Sequence, residues 1–208
     1  MERSAIVLAG GSSTRIGEDK GVLELAGKPL LKHVIDAVRN HVGEVVVVTS
    51  SQDRVKSYSS LAGKGIRFAR DEVETKSPLI GAASGFCAAK GEYSLLLPFD
   101  TPFVSSEIVS FLFEICIGRA AAIPKWPNGQ IEPLHAVYKT TVAKDAAAAA
   151  IEEGRLDMRG MIERMRGVRY ISTLVLQQLD PELQTFFNVN TRADLRKASA
   201  LMARQERT

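Results

Sequence analysis

Short apolar runs alternate with helically spaced apolar residues along most of this chain. Residues 4–8 form an apolar run of strand length, and Glu44–Thr49 carries four consecutive valines, a β-branched run suited to a strand buried on both faces. Ile66–Arg70 and Tyr93–Pro98 read as further strands, followed by shorter ones at 120–123, 134–138, 168–171 and 185–189. Between them, Pro29 opens a helix on which Leu30, Leu31, Val34, Ile35, Val38 and Val42 recur at helical spacing. Helical patterns also cover 79–90, 105–117, 141–153, 157–166 and 191–204. This order predicts an α/β fold: a mostly parallel central sheet with helices on both faces. No internal repeat or low-complexity linker interrupts it, so one domain spanning 1–208 is expected.

In open α/β sheets, ligands gather at the carboxyl ends of the strands. The first strand ends in Leu8-Ala9-Gly10-Gly11-Ser12-Ser13-Thr14-Arg15, the second in Thr49-Ser50-Ser51, and the third in Arg70-Asp71. The fourth ends in Pro98-Phe99-Asp100-Thr101-Pro102, and the late one in Asn188-Val189-Asn190-Thr191. All five are expected to face one crevice. Gly10 and Gly11 allow a sharp turn and bring bare N–H groups near phosphate oxygens. Ser12, Ser13 and Thr14 add hydroxyl donors, Arg15 a planar fork, and Lys20 a point charge. The spacing fits neither G-x-x-x-x-G-K-[ST] nor G-x-G-x-x-G. A nucleoside triphosphate is the expected ligand.

Each remaining candidate carries two readings. Asp100 is placed to hold a divalent cation on phosphates, or it is a turn or capping residue; Asp71 has the same pair. Pro78, Leu79 and Gly81 open a helix whose N–H groups could face a ligand, or they serve a tight helix–sheet contact. Asn188 and Asn190 alternate at a strand end and so are expected to point the same way, as candidates for the acceptor. Asn190 would complete a metal shell, or cap the last helix. His135 reads as a core or rim residue. With no Ser-His-Asp order and no zinc spacing, a reaction that needs only positioning and charge neutralisation, such as nucleotidyl transfer, fits best.

Composition changes this picture little. Hydrophobic residues make up 45%, charged residues 25%, and the net charge is +3. That balance argues against nucleic-acid or membrane partners and suits small anionic substrates. No apolar run reaches membrane-spanning length and no signal peptide is read at the start, so a cytoplasmic setting is expected. Cys87 and Cys116 fall in apolar helical patterns and are expected to be buried thiols.

The motifs resemble the MobA family, the molybdenum cofactor guanylyltransferases. Residues 8–21 follow its L-A-G-G-x-S-x-R-M-G-x-D-K-G signature, with Ile16 for methionine. Gly27-Lys28-Pro29-Leu30 matches the segment that opens the first long helix. Pro78-Leu79-Ile80-Gly81 is similar to G-P-L-x-G, with Ser77 for the first glycine. Pro98-Phe99-Asp100-Thr101-Pro102 is similar to P-C-D-x-P, and Phe187-Asn188-Val189-Asn190-Thr191 to F-x-N-x-N-T. The resemblance implies a Rossmann-like nucleotidyltransferase fold and transfer of GMP from GTP to molybdenum-loaded molybdopterin. It implies Mg²⁺ as cofactor, held by Asp100 with Asn190, and Leu8, Gly10, Lys20, Asp71 and Asp100 as nucleotide-site residues. The expected site thus has Arg15, Lys20 and Asp100 as catalytic candidates. Leu8, Ala9, Gly10, Gly11, Ser12, Asp71, Pro78, Leu79 and Gly81 join them around the nucleotide. The family's asparagine after the second strand has no counterpart in Thr49-Ser50-Ser51-Gln52. Transient contact with proteins that deliver or receive molybdopterin is left open. Two alternatives stand beside this reading: a cytidylyltransferase, whose relatives carry L-A-A-G at the turn, and a non-catalytic nucleotide carrier.

Overall fold

The computed structural model describes residues 2–10, 20–63, 65–71 and 77–205. Strand β1 (Arg3–Leu8) leads through a two-residue ladder, β2 (Glu24–Leu25) and β3 (Lys28–Pro29), into helix α1 (Leu30–Val38). There follow β4 (Glu44–Thr49), α2 (Gln52–Ala62), β5 (Ile66–Arg70), α3 (Pro78–Ala88), β6 (Tyr93–Pro98) and α4 (Ser106–Cys116). The second half holds β7 (Ala121–Lys125), β8 (Ala136–Lys139), α5 (Thr140–Glu152), α6 (Met158–Glu163), β9 (Val168–Ser172), α7 (Thr173–Leu176) and α8 (Arg192–Gln205).

Seven strands form one sheet in the order β5-β4-β1-β6-β8-β7-β9. β1 lies at its heart, parallel to both neighbours, with Ile6 opposite Val46 on one side and Leu96 on the other. Only β8 runs against the rest, antiparallel to β6 and β7. The expected architecture, mostly parallel with helices on both faces, is the observed one.

Alternation along the strands sorts the core into two layers. Ala5, Val7, Val45 and Val47 face α1 and α4, meeting Leu31, Val34, Ile35, Leu112 and Phe113. Ile6, Val46 and Val48 face the opposite way, against Leu79, Ala82 and Phe86 of α3, with α5 and α6 beyond. Each large side chain buried fully in these layers contributes about 1.5–3 kcal/mol. A third cluster, Leu25, Leu30, Phe103, Val189 and Ala198, seats α8 beside the β2–β3 ladder.

The structure departs from the sequence pattern at several places, among them the unexpected β2–β3 ladder and helix α7. Helix α2 does not show in the pattern; Ser51 caps it, accepting from Arg54 N at 3.3 Å. Helix α1 stops at Val38 instead of running to Val42, because the chain must turn for Gly43 N to bond Arg3 O at 2.9 Å. The strand expected from residue 134 begins at Ala136, since His135 N closes a turn onto Glu132 O. Residues 185–189 form no strand: Gln184–Phe186 is a 3₁₀ turn, because Asp180 Oδ2 and Asp180 O draw Thr185 N and Leu183 N into local bonds. Finally, Cys116 is buried as expected but Cys87 is exposed, because Phe86 takes the sheet-facing position of α3 and turns its neighbour outward.

Candidate functional site

The carboxyl ends of β1, β4, β5 and β6 surround a cleft of about 470 Å³. Leu8, Gly10, Asp71, Pro78, Gly81 and Asp100, all expected at a nucleotide site, line it together with Val48, Thr49, Ser50, Ser77, Pro98, Phe99 and Leu134. Gly11, Ser12 and Arg15 lie outside the described residues.

Two expected residues serve the fold instead. Ala9 is fully buried, and its N–H donates to Val48 O at 2.8 Å. Leu79 is fully buried in the core, and its N–H is taken by Ser77 Oγ at 3.1 Å. The tight helix–sheet contact expected at Gly81 lies one turn on, at Gly85. A Cβ on Gly85 would stand 2.3 Å from Ile6 Cγ2, whereas one on Gly81 would make ordinary contacts with Leu8 Cδ2 at 3.5 Å and Val48 Cγ1 at 4.0 Å. At Gly10 the nearest atom to a Cβ would be Ser50 N at 3.9 Å. Among the described residues nothing crowds a methyl at Gly10.

At one edge of the cleft three side chains from distant segments meet. Lys20 Nζ donates to Asn190 Oδ1 at 2.8 Å and stands 3.7 Å from Asp100 Oδ2. The Lys20 and Asp100 side chains are only 13% and 14% exposed, so the charges interact with little screening. Burial raises the Asp100 carboxyl above the usual carboxylate range, and the Lys20 ammonium offsets part of that shift. The capping alternative for Asp100 does not hold, because Ser105 Oγ caps α4, accepting from Ile108 N at 3.2 Å. Nor does Asn190 cap α8: Thr191 and Asp194 form a capping box, with Asp194 N bonding Thr191 Oγ1 at 3.1 Å and Thr191 N bonding Asp194 Oδ2 at 2.8 Å. Asn188 and Asn190 lie in no strand and take different partners: Asn190 Oδ1 accepts from Lys20 Nζ. Asn188 is exposed, its Nδ2 turned back to Phe186 O at 3.2 Å.

Several elements hold this corner in place. Val189 N donates to Asp100 O at 2.8 Å, fixing the late segment to the end of β6. Gly21, next to Lys20, packs on buried Tyr58 of α2 so closely that a Cβ would stand 2.3 Å from its hydroxyl. Arg54, also of α2, reaches Ser50 Oγ at 3.4 Å and Ala9 O at 3.5 Å, spanning the ends of β4 and β1. Tyr58 and Arg54 are hidden in the sequence along with α2; the spacing of Val55, Tyr58 and Ala62 is the signal that marks them.

A divalent cation fits this corner. Asp100 Oδ2 and Asn190 Oδ1 are hard oxygen donors that already converge on one positive charge, that of Lys20. Among the described residues no group of three or more His, Cys, Asp or Glu forms a metal cage. Mg²⁺ does not require one: it keeps several waters and binds through one or two protein oxygens plus substrate phosphates.

Comparison with known proteins agrees with the geometry. Residues 5–168 match the MobA-like NTP transferase domain. A protein of Methanosarcina mazei named "Probable molybdenum cofactor guanylyltransferase" is 36% identical over 93% of this chain and 88% of its own. A Pyrococcus horikoshii protein of the same name is 34% identical over 94% and 98%. The crystal structure of molybdopterin-guanine dinucleotide biosynthesis protein A from Archaeoglobus fulgidus superposes with a TM-score of 0.81 at 28% identity, covering 97% of this chain and 99% of that one. By sequence and by architecture, the chain belongs to the MobA-like NTP transferase family.

Proposed function

We propose that the chain transfers GMP from GTP to the phosphate of molybdenum-loaded molybdopterin, releasing pyrophosphate, as one nucleotidyltransferase domain working in the cytoplasm. The relatives named above carry guanylyltransferase names, which does not favour the cytidylyltransferase alternative. The observation that carries the reading is the meeting of Lys20, Asp100 and Asn190 at the cleft edge. A carrier protein needs the phosphate turn but has no use for a cation-binding corner beside it.

In this reading the triphosphate lies along the turn after β1, where Gly10 lets phosphate oxygens approach bare backbone. Lys20 leaves the cleft-edge oxygens to pair with the phosphates. Asp100 and Asn190 would hold Mg²⁺, which would supply charge neutralisation between the α-phosphate and the attacking phosphate. Asp71, Pro78 and Gly81 wall the nucleoside end, and Asn188 lies on the acceptor side. By motif position, Gly11, Ser12 and Arg15 would add further phosphate contacts.

The test is pyrophosphate release with molybdenum-loaded molybdopterin, Mg²⁺ and each of the four triphosphates. GTP should be preferred at least tenfold, about 1.4 kcal/mol of transition-state discrimination. CTP outperforming GTP would move the protein to the cytidylyltransferases; release with none would leave the carrier.

A further inference from the structure

The corner at the cleft edge already holds a cation of its own. Lys20 Nζ lies 2.8 Å from Asn190 Oδ1 and 3.7 Å from Asp100 Oδ2, and both charged side chains are nearly buried. An ammonium can only donate, so the Asn190 amide must present its oxygen there. Asn190 is fixed at its root: its N–H donates to Asp194 Oδ2 at 3.0 Å, and Thr191 takes the helix-capping role that would otherwise occupy its side chain. Lys20 is fixed at its root as well. Its carbonyl accepts from Leu23 N at 3.2 Å, and the next residue, Gly21, rests on Tyr58. The ammonium can therefore leave these oxygens only by swinging on its own flexible stem.

The two oxygens it faces are the pair that fits a divalent cation. Mg²⁺ takes its oxygens at about 2.1 Å, so an ion on Asn190 Oδ1 would stand within about 5 Å of an ammonium that lies 2.8 Å from the same atom. Like charges that close, in a corner largely shielded from water, repel strongly. Asp100 brings one negative charge against the three positive charges that ammonium and metal would bring together. Phosphate changes that balance. A triphosphate seated at Gly10, which lines the same cleft as Asp100, adds several negative charges and gives the ammonium a second place to bind.

We propose that Lys20 is a placeholder for the metal: its ammonium sits on Asp100 and Asn190 until nucleotide phosphates draw it off, so that the cation joins the site only after the triphosphate. The inference rests on the reading of Asp100 and Asn190 as the metal-holding pair. It gives Asn190 a second task, as the seat of the parked ammonium, and it gives binding an order, nucleotide before metal. It also explains how a nearly buried carboxylate is tolerated throughout, since Asp100 keeps a counter-charge whether ammonium or metal stands beside it.

The experiment is titration of Mn²⁺, whose paramagnetic signal is lost on binding, into the nucleotide-free protein. The wild type is compared with Lys20→Met, which keeps an unbranched stem and removes the charge, with Lys20→Arg, which keeps the charge, and with the double variant Lys20→Met, Asp100→Asn. Lys20→Met should bind Mn²⁺ at least about tenfold more tightly than the wild type. Lys20→Arg should exclude the ion as the wild type does, and the double variant should lose the gained site. Mg²⁺ at a concentration that saturates Lys20→Met should raise the unfolding temperature of that variant and leave the wild type's unmoved. With GTP present, the wild type should acquire a Mn²⁺ site that Asp100→Asn removes. Three results overturn the placeholder: a wild type that binds Mn²⁺ as tightly as Lys20→Met, a folded Lys20→Met that gains no site, or a Lys20→Arg as permissive as Lys20→Met. If GTP also brings no Asp100-dependent site to the wild type, the metal-holding pair itself fails. If GTP does bring one, that reading stands and only the placeholder falls.

Discussion

Asp100→Asn separates chemistry from folding because the two effects have opposite signs. The side chain keeps its shape and loses its charge. Across 3.7 Å, the attraction to Lys20 is worth about 4.5 kcal/mol at an effective dielectric of about 20. Against this stands the cost of burying a carboxylate, several kcal/mol per ion. Burial is the larger influence on Asp100, since its pKa is raised despite Lys20. The ionised carboxylate is therefore held less favourably in the folded chain than in water. Replacing it should leave stability unchanged or raise it by a few degrees, at about 2–4 °C per kcal/mol for a chain of this size. Turnover should fall by about 10²–10³, roughly 3–4 kcal/mol, as an electrostatic element of the reacting centre is lost. The assay pairs thermal unfolding at neutral pH without metal with Mg²⁺-dependent pyrophosphate release. An unfolding temperature lowered by several degrees would show that the carboxylate supports the fold and that its burial cost has been overweighted. Near-normal turnover in a folded variant would put the metal elsewhere.

Lys20→Ala should weaken GTP binding by about ten- to a hundredfold, the loss of one charge-assisted contact of about 1.5–3 kcal/mol, checked by titration calorimetry. Gly10→Val and Gly85→Val should fail in opposite ways. Gly10→Val should lose GTP binding with its unfolding temperature kept, because the nearest atom among the described residues stands 3.9 Å from the new Cβ. Gly85→Val drives a side chain into Ile6, 2.3 Å from that Cβ, and should cost at least about 1–3 kcal/mol in denaturant unfolding. Glu44 is held below the usual carboxylate range: burial pushes its pKa up, but Ser4 Oγ, Lys90 N and Arg67 together pull it further down. Its stabilisation is present above the unfolded-state pKa of about 4.3 and is lost as pH falls through the lower folded value. Glu44→Gln should therefore flatten that part of the acid-unfolding curve; an unchanged acid limb would refute the assignment.

What the sequence reveals depends on whether a local pattern decides the structure. The valine run of β4 and the apolar run of β6 leave little alternative to buried strands, and the strand ends then place Gly10, Asp71 and Asp100 around one cleft. Helix α2 hides because Ser57, Ser59 and Ser60 dilute its apolar stripe and lower its intrinsic propensity. The run from Thr185 to Val189 has strand composition, yet Asp180 takes its first N–H and the rest packs beneath α8, a tertiary outcome no window of residues contains. The approach of Lys20 to Asn190, far apart in the chain, is likewise set by Val189 binding Asp100 O and by Gly21 resting on Tyr58. His135 is legible as a core or rim residue and is buried, but that its ring nitrogens have no partner among the described residues does not show in a sequence.

The central place of β1 has a consequence for synthesis. Arg3 lies opposite Tyr93, ninety positions on, and β1 is bordered on its other side by β4. At ribosomal rates of about 5–20 residues per second, one edge of this apolar strand waits roughly 5–18 s for β6 after β1 itself has been made. Such long-range parallel pairing also slows the final folding step. During that interval the nascent chain displays an unsatisfied row of backbone donors and acceptors flanked by Ala5, Ile6 and Val7, which is the kind of surface that chaperones shield and that crowded nascent chains otherwise join through.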